Sequence, residues 1–229
     1  MTEIAPNVHS IETSRCNFYL IDEPPHIVLI DAGWPKQQAL VFDLLQKLGH
    51  SPTDLSHILV THADIDHVGS LAALQAASGA KVLAGAESAK LIAQGKSPKH
   101  LPIVMQWIVD TFMKVTPVDE ADVSTFQDGD TLPFLGGLQV LASPGHTSDH
   151  FAFFSPASGV LFAGDALNTQ NGRINLTPAR ITADKTAARH SGIRLLQLSP
   201  AVIACGHGTP STTHSSDDLM ALFNILRQE

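Results

Sequence analysis

The sequence predicts an α/β fold in which helices cover a sheet, and three observations carry that expectation. Short apolar runs alternate with helical patterns through the first half of the chain. Strand-like runs dominate the second half. Gly, Asp and Pro punctuate both halves without a linker or low-complexity tract, so one domain over residues 1–229 is expected.

Tyr19-Leu20-Ile21 and Ile27-Val28-Leu29-Ile30 read as buried strands on either side of the turn-forming Asp22-Glu23-Pro24-Pro25. Pro35 stands near the start of a helix that runs through Lys47 and stops at Gly49. Residues 56–61 form the next strand. A loop follows, and a helix beginning near Asp66 runs through Leu71, Leu74 and Ala77 to Gly79. Residues 81–84 are a short strand. Residues 101–114 hold a bulky apolar helix around Trp107, which either packs on the core or forms part of a lid or substrate wall. Strands at 138–141, 151–154 and 160–163 come next, the last two joined by a Ser/Pro/Gly turn. A helix over about 183–198, a strand at 200–205 and a helix over about 216–227 complete the chain.

Composition excludes several classes. Hydrophobic residues make up 44% of the chain and charged ones 16%, which is too apolar for disorder. Aromatics reach only 6%, so the core must rest on Leu, Ile, Val and Ala. A net charge of −8 argues against a nucleic-acid backbone or an anionic membrane surface as partner. A small-molecule substrate is expected, and the oligomeric state stays open. Cys16 and Cys205 form no CxxC pair, which excludes a thiolate zinc ribbon and points to unpaired buried thiols. The N-terminus lacks the pattern of a signal peptide, and no stretch reaches the ~20 apolar residues of a membrane span. A cytoplasmic location is expected.

The chemistry is concentrated at strand ends. Thr61-His62-Ala63-Asp64-Ile65-Asp66-His67 places four ligand-type residues directly after an apolar strand. Gly145-His146, Gly164-Asp165 and Gly206-His207 each follow another apolar strand. One Gly-His or Gly-Asp alone is most often a turn. Four strand ends that each present such a residue point to one rim of a sheet. Four His and three Asp can hold two divalent cations about 3.5–4 Å apart, with one carboxylate between them and a place left for water. Imidazole with carboxylate suits Zn, Fe or Mn.

This pattern resembles the metallo-β-lactamase superfamily, whose signature is His-x-His-x-Asp-His, then a distant Gly-His, an Asp and a His. The similarity spans nearly the whole chain, from Asn17-Phe18-Tyr19-Leu20-Ile21 and Leu29-Ile30-Asp31-Ala32-Gly33 to Gly206-His207-Gly208. It implies an αββα four-layer sandwich of two similar halves. It also implies a first metal on His62 and His146, a second on Asp66, His67 and His207, and Asp165 as the bridge. Asp66 would orient the attacking water or carry its proton. Asp31 would brace the ligand loop or simply close a turn. The family's second His is Asp64 here. Asp64 either ligates the first metal, shifting preference from Zn toward Fe or Mn, or falls short and leaves that position weak.

The reaction implied is hydrolysis of an ester, thioester, lactone or lactam by a metal-activated hydroxide. The alternatives are an iron redox enzyme of the flavo-diiron-like or persulfide-dioxygenase-like branch, and a metal- or ligand-binding module without turnover. His150 would either approach the site or serve the core, and Asn168 and Arg173 would either contact substrate or not. The other histidines, His100 among them, stand in no motif and read as surface or internally satisfied residues.

Overall fold

The computed structural model describes residues 1–228. The chain enters through four strands, β1 (Thr2–Ala5), β2 (Val8–Glu12), β3 (Asn17–Glu23) and β4 (His26–Ile30). Helix α1 (Gln38–Lys47), strand β5 (Leu55–Leu59) and two short helices, α2 (Ile65–Val68) and α3 (Leu71–Ser78), follow. Strand β6 (Lys81–Ala84), helices α4 (Ala86–Gln94) and α5 (Ile103–Phe112), and strand β7 (Val123–Thr125) complete the first half. The second half runs β8 (Thr131–Leu132), β9 (Leu138–Ala142), β10 (Phe151–Ser155) and β11 (Val160–Gly164). The hairpin of β12 (Leu167–Asn168) and β13 (Asn175–Leu176), helix α6 (Lys185–Leu196), strand β14 (Val202–Cys205) and helix α7 (Ser216–Gln228) close it.

One sheet has the order β1-β2-β3-β4-β5-β6-β7, antiparallel up to β4 and parallel from there on. The other has the order β14-β11-β10-β9-β8, with only β11 and β14 parallel. Strand alternation sorts the side chains into three apolar layers. Phe18, Leu20, Ile27 and Leu29 face α1, α3 and α4. Tyr19, Ile21, Val28 and Ile30 face the second sheet, where they meet Phe153, Phe162, Val202 and Ala204. Leu161, Ile203 and Cys205 face α6 and α7. The sandwich is therefore αββα, with every central strand covered on both faces. That explains why the strands read as unbroken apolar runs rather than alternating ones.

The helices carry their own signals. Val41, Leu44 and Leu45 give α1 its buried stripe, and Gly49, at φ +86°, stands beyond its end. Asp184 caps α6, its Oδ1 accepting from the N–H groups of Thr186 and Ala187 at 2.9 Å each.

Two expectations change. The helix expected from Asp66 to Ala77 is broken between α2 and α3. Gly69 there is pressed against the Pro35 ring, and Ser70 Oγ donates to the Trp34 carbonyl and accepts from Gln37 N–H. Tertiary bonds to the loop before α1 thus replace the helical ladder. Second, α5 does not pack on the core. Ile103 is 89% exposed, Trp107 60% and Phe112 70%, and the last two stack edge-to-face on each other. Among the described residues no helix is long and apolar enough to cross a membrane.

Candidate metal centre

Strand direction builds the centre. β9 and β11 both pair antiparallel with β10, so they run the same way, and β14 runs parallel to β11. All three end at one rim, delivering His146, Asp165 and His207 there. In the other sheet β4 and β5 are parallel and deliver Asp31 and residues 61–67. The two rims are tied together by backbone bonds, Asn17 N–H to Gly206 O at 2.7 Å and Phe151 N–H to Thr61 O at 2.9 Å.

Asp31 organises the loop after β5. It adopts φ +62°, a left-handed conformation that Asp tolerates better than most residues. Its carboxylate accepts from Thr61 N–H, Thr61 Oγ1 and His67 Nδ1, each at 2.8 Å. The His67 proton is therefore on Nδ1, and Nε2 is turned inward, 3.3 Å from Asp165 Oδ1. Thr61 Oγ1 gives its proton to Asp31 and accepts from His62 Nδ1 at 3.0 Å. His62 Nε2 consequently points inward too, 3.5 Å from Asp64 Oδ2. The bracing role for Asp31 thus has a concrete form in two imidazole tautomers.

All seven expected residues converge. Asp165 stands between the others, its Oδ2 3.6 Å from His146 Nε2 and 3.2 Å from His207 Nε2. His146 Nε2 is 3.1 Å from Asp64 Oδ2, and His207 Nε2 is 3.4 Å from Asp66 Oδ2. Three groups emerge, each with its potential ligand atoms within 4.8 Å of one another: His62, Asp64 and His146; His62, His67 and Asp165; Asp66, His67 and His207. Gly206 permits this closeness, since a Cβ there would collide with Asp165 Oδ1 and the His67 ring.

The charges are coupled. Burial alone would raise the carboxyl of Asp165, but the facing His207 and His67 hold it well below the usual range. Burial opposes charging of His207, yet Asp165 pushes its pKa up to about 10. Carboxylates this buried need compensating charge, which protons on the rings or bound cations can supply. The donor set fits cations. His62 Nε2, His67 Nε2 and Asp165 Oδ1 are buried without a hydrogen-bond partner, and all three lie inside the cluster.

The neighbours separate by role. His150 is buried and held well below the usual imidazole range by burial and by His62 and His146, so it is neutral. Its Nε2 accepts from Asp165 N–H at 3.0 Å, and Nδ1–H donates to Ser143 Oγ at 2.8 Å. It supports the backbone of Asp165 and has no free nitrogen for a metal. Asn168 closes the β12–β13 hairpin, donating to Leu176 O at 2.7 Å and accepting from Gln170 N–H. Arg173 is exposed on a surface depression beside Ser211, Thr213 and His214. Both cysteines are buried and free, and burial pushes both thiols up.

One residue escapes the sequence reading. His100 has a side chain only 2% exposed, with Nε2 3.2 Å from Asp64 Oδ2. It lies in a polar loop without a motif, and nothing local in the sequence ties it to residue 64.

Comparison with known proteins accords with this geometry. A family profile described as the metallo-beta-lactamase superfamily matches residues 12–207. The chain belongs to the metallo-β-lactamase superfamily. A probable metallo-hydrolase from Bacillus subtilis, YflN, is 29% identical over 98% of this chain and 92% of its own length. A hydroxyacylglutathione hydrolase from Rhodobacter capsulatus is 32% identical over 67% of this chain, which spans only 48% of that enzyme. A solved metallo-β-lactamase from Cronobacter sakazakii superposes with a TM-score of 0.74 at 21% identity, covering 99% of this chain and 91% of that one. That last likeness establishes the fold alone.

Proposed function

We propose that this protein hydrolyses a small carboxylic acyl compound, an ester, thioester, lactone or lactam, with two divalent metal ions. His62, Asp64 and His146 would hold one ion, Asp66, His67 and His207 the other, with Asp165 shared. The observation that carries this reading is Asp165, whose one carboxylate approaches members of both groups, Oδ1 lying 3.3 Å from His67 Nε2 and Oδ2 lying 3.2 Å from His207 Nε2 and 3.6 Å from His146 Nε2. Zinc is the first choice. Asp64 adds a hard oxygen donor and a negative charge, which widens the choice to Fe or Mn. Such ions, when bound, lower the pKa of water and polarise a carbonyl.

The chain's own residues supply the rest. Asp31 and Thr61 fix the ring protons so that His62 and His67 present Nε2 inward. Asp66 is the proton carrier. Its carboxylate is 23% exposed and reaches His207 at 3.4 Å, so it can take a proton from an attacking water and return it to the leaving group. The two buried free thiols suit a reducing compartment, and we assign the enzyme to the cytoplasm, acting as one domain.

Metal analysis by mass spectrometry, paired with a panel of thioesters and lactones, tests the reading. A glutathione thioester heads the panel because the Rhodobacter capsulatus relative is a hydroxyacylglutathione hydrolase. Two ions per chain and turnover that disappears in His62→Ala are expected. Iron without hydrolysis of any panel member would overturn the proposal in favour of redox chemistry.

A further inference from the structure

The position beside Asp64 is richer in imidazole than the sequence motif allows. Three Nε2 atoms surround Asp64 Oδ2, those of His146 at 3.1 Å, His100 at 3.2 Å and His62 at 3.5 Å. Two of these residues are expected ligands, and the third comes from the loop between α4 and α5. We infer that His100 is a ligand of the first metal ion and supplies the imidazole that Asp64 replaces. The inference rests on the two-metal reading above.

Two observations support it. Both ring nitrogens of His100 are buried without a hydrogen-bond partner, in a side chain 2% exposed. Although Nε2 lies near Asp64, its geometry does not make a hydrogen bond, whereas His146 Nε2 does bond the same oxygen. A buried, unsatisfied imidazole is costly, and His62 Nε2 and His67 Nε2 share this state. A cation among His62, Asp64, His100 and His146 would satisfy His100 Nε2 and leave the ring proton on Nδ1.

The second observation is that the loop is built to hold His100 inward. Gln106, on α5, accepts with Oε1 from His100 N–H at 3.1 Å and from Leu101 N–H at 3.2 Å. Its Nε2 donates to Pro98 O at 3.2 Å. One side chain thus clamps the backbone on both sides of residue 99. Gln106 is a positioning residue for His100, and this gives α5 a task that core packing does not.

The test uses the full chain loaded with Co(II). Exchangeable imidazole N–H protons shifted by the metal are counted by proton NMR, and affinity is measured by competition with a chelator. Wild type should show five such protons, from His62, His67, His100, His146 and His207. His100→Ala should show four and lose about 100-fold or more in affinity at one position only, beyond the range usual for outer partners. Adding Asp64→His to that variant should restore the affinity, which a merely structural role for His100 would not produce. Unfolding of the metal-free forms checks that each variant folds. Two ions in wild type with unchanged counts in His100→Ala would overturn this inference and spare the two-metal reading. A wild type that binds no more than one ion would overturn both.

Discussion

Two groups of ligand-type residues meet at Asp165: Asp66, His67 and His207 form one, and His62, Asp64 and His146 the other. The first group is braced by the fold. His67 Nδ1 is tied directly to Asp31, and the His67 carbonyl accepts from Ala32 N–H at 2.6 Å. The Asp66 carbonyl accepts from the Cys16 thiol, and that of His207 from Thr169 N–H at 3.0 Å. The second group has backbone anchors too, Asp64 O accepting from His67 N–H at 2.8 Å and His146 O from Ala183 N–H at 3.1 Å, but its side chains are less fully tied to the fold. His146 Nδ1 is buried without a partner, and Asp64 meets mainly the imidazoles themselves. Its additional imidazole, His100, hangs on a loop clamped by one glutamine. Both positions are thus built on strand ends, and the second adds an imidazole from the loop between α4 and α5. The braced position should fill first and bind more tightly.

The sharpest way to break this contrast is to remove what both positions share. Asp165→Asn should release both ions and lower kcat/KM by on the order of 10³-fold, the scale of several kcal/mol of lost charge stabilisation. Metal analysis and kinetics check it, and two retained ions would mean that each position stands without its neighbour. Asp31→Asn acts at one remove. It should weaken metal binding on the His67 side by about 10–100-fold, and less on the His62 side, which Asp31 reaches only through Thr61. Chelator competition reads both, and equal losses would show that the bracing is common to the two. The smallest effect belongs to α5. Trp107 is 60% exposed, so Trp107→Ser should change stability by no more than about 0.5 kcal/mol in denaturant unfolding. A larger loss would show that α5 is tied down through Trp107 as well as through Gln106.

The sequence by itself determined an α/β fold of apolar strands covered by helices and pointed to the seven residues that converge, while the αββα arrangement came from the family resemblance. Those residues are legible because each follows a strand directly, so a short local pattern fixes where it ends up. Tertiary structure decided what depends on distant segments. Gly69 packing on Pro35 split a helix whose local pattern was continuous. The exposure of α5 was invisible because an apolar helix reads alike in a core and on a surface. The placement of His100 beside Asp64 joins residues 36 positions apart through a loop with no periodicity. Local sequence encodes backbone preference and burial. Which side chains meet across the rim is set by how two sheets and their connecting loops pack, and no short window of residues contains that information.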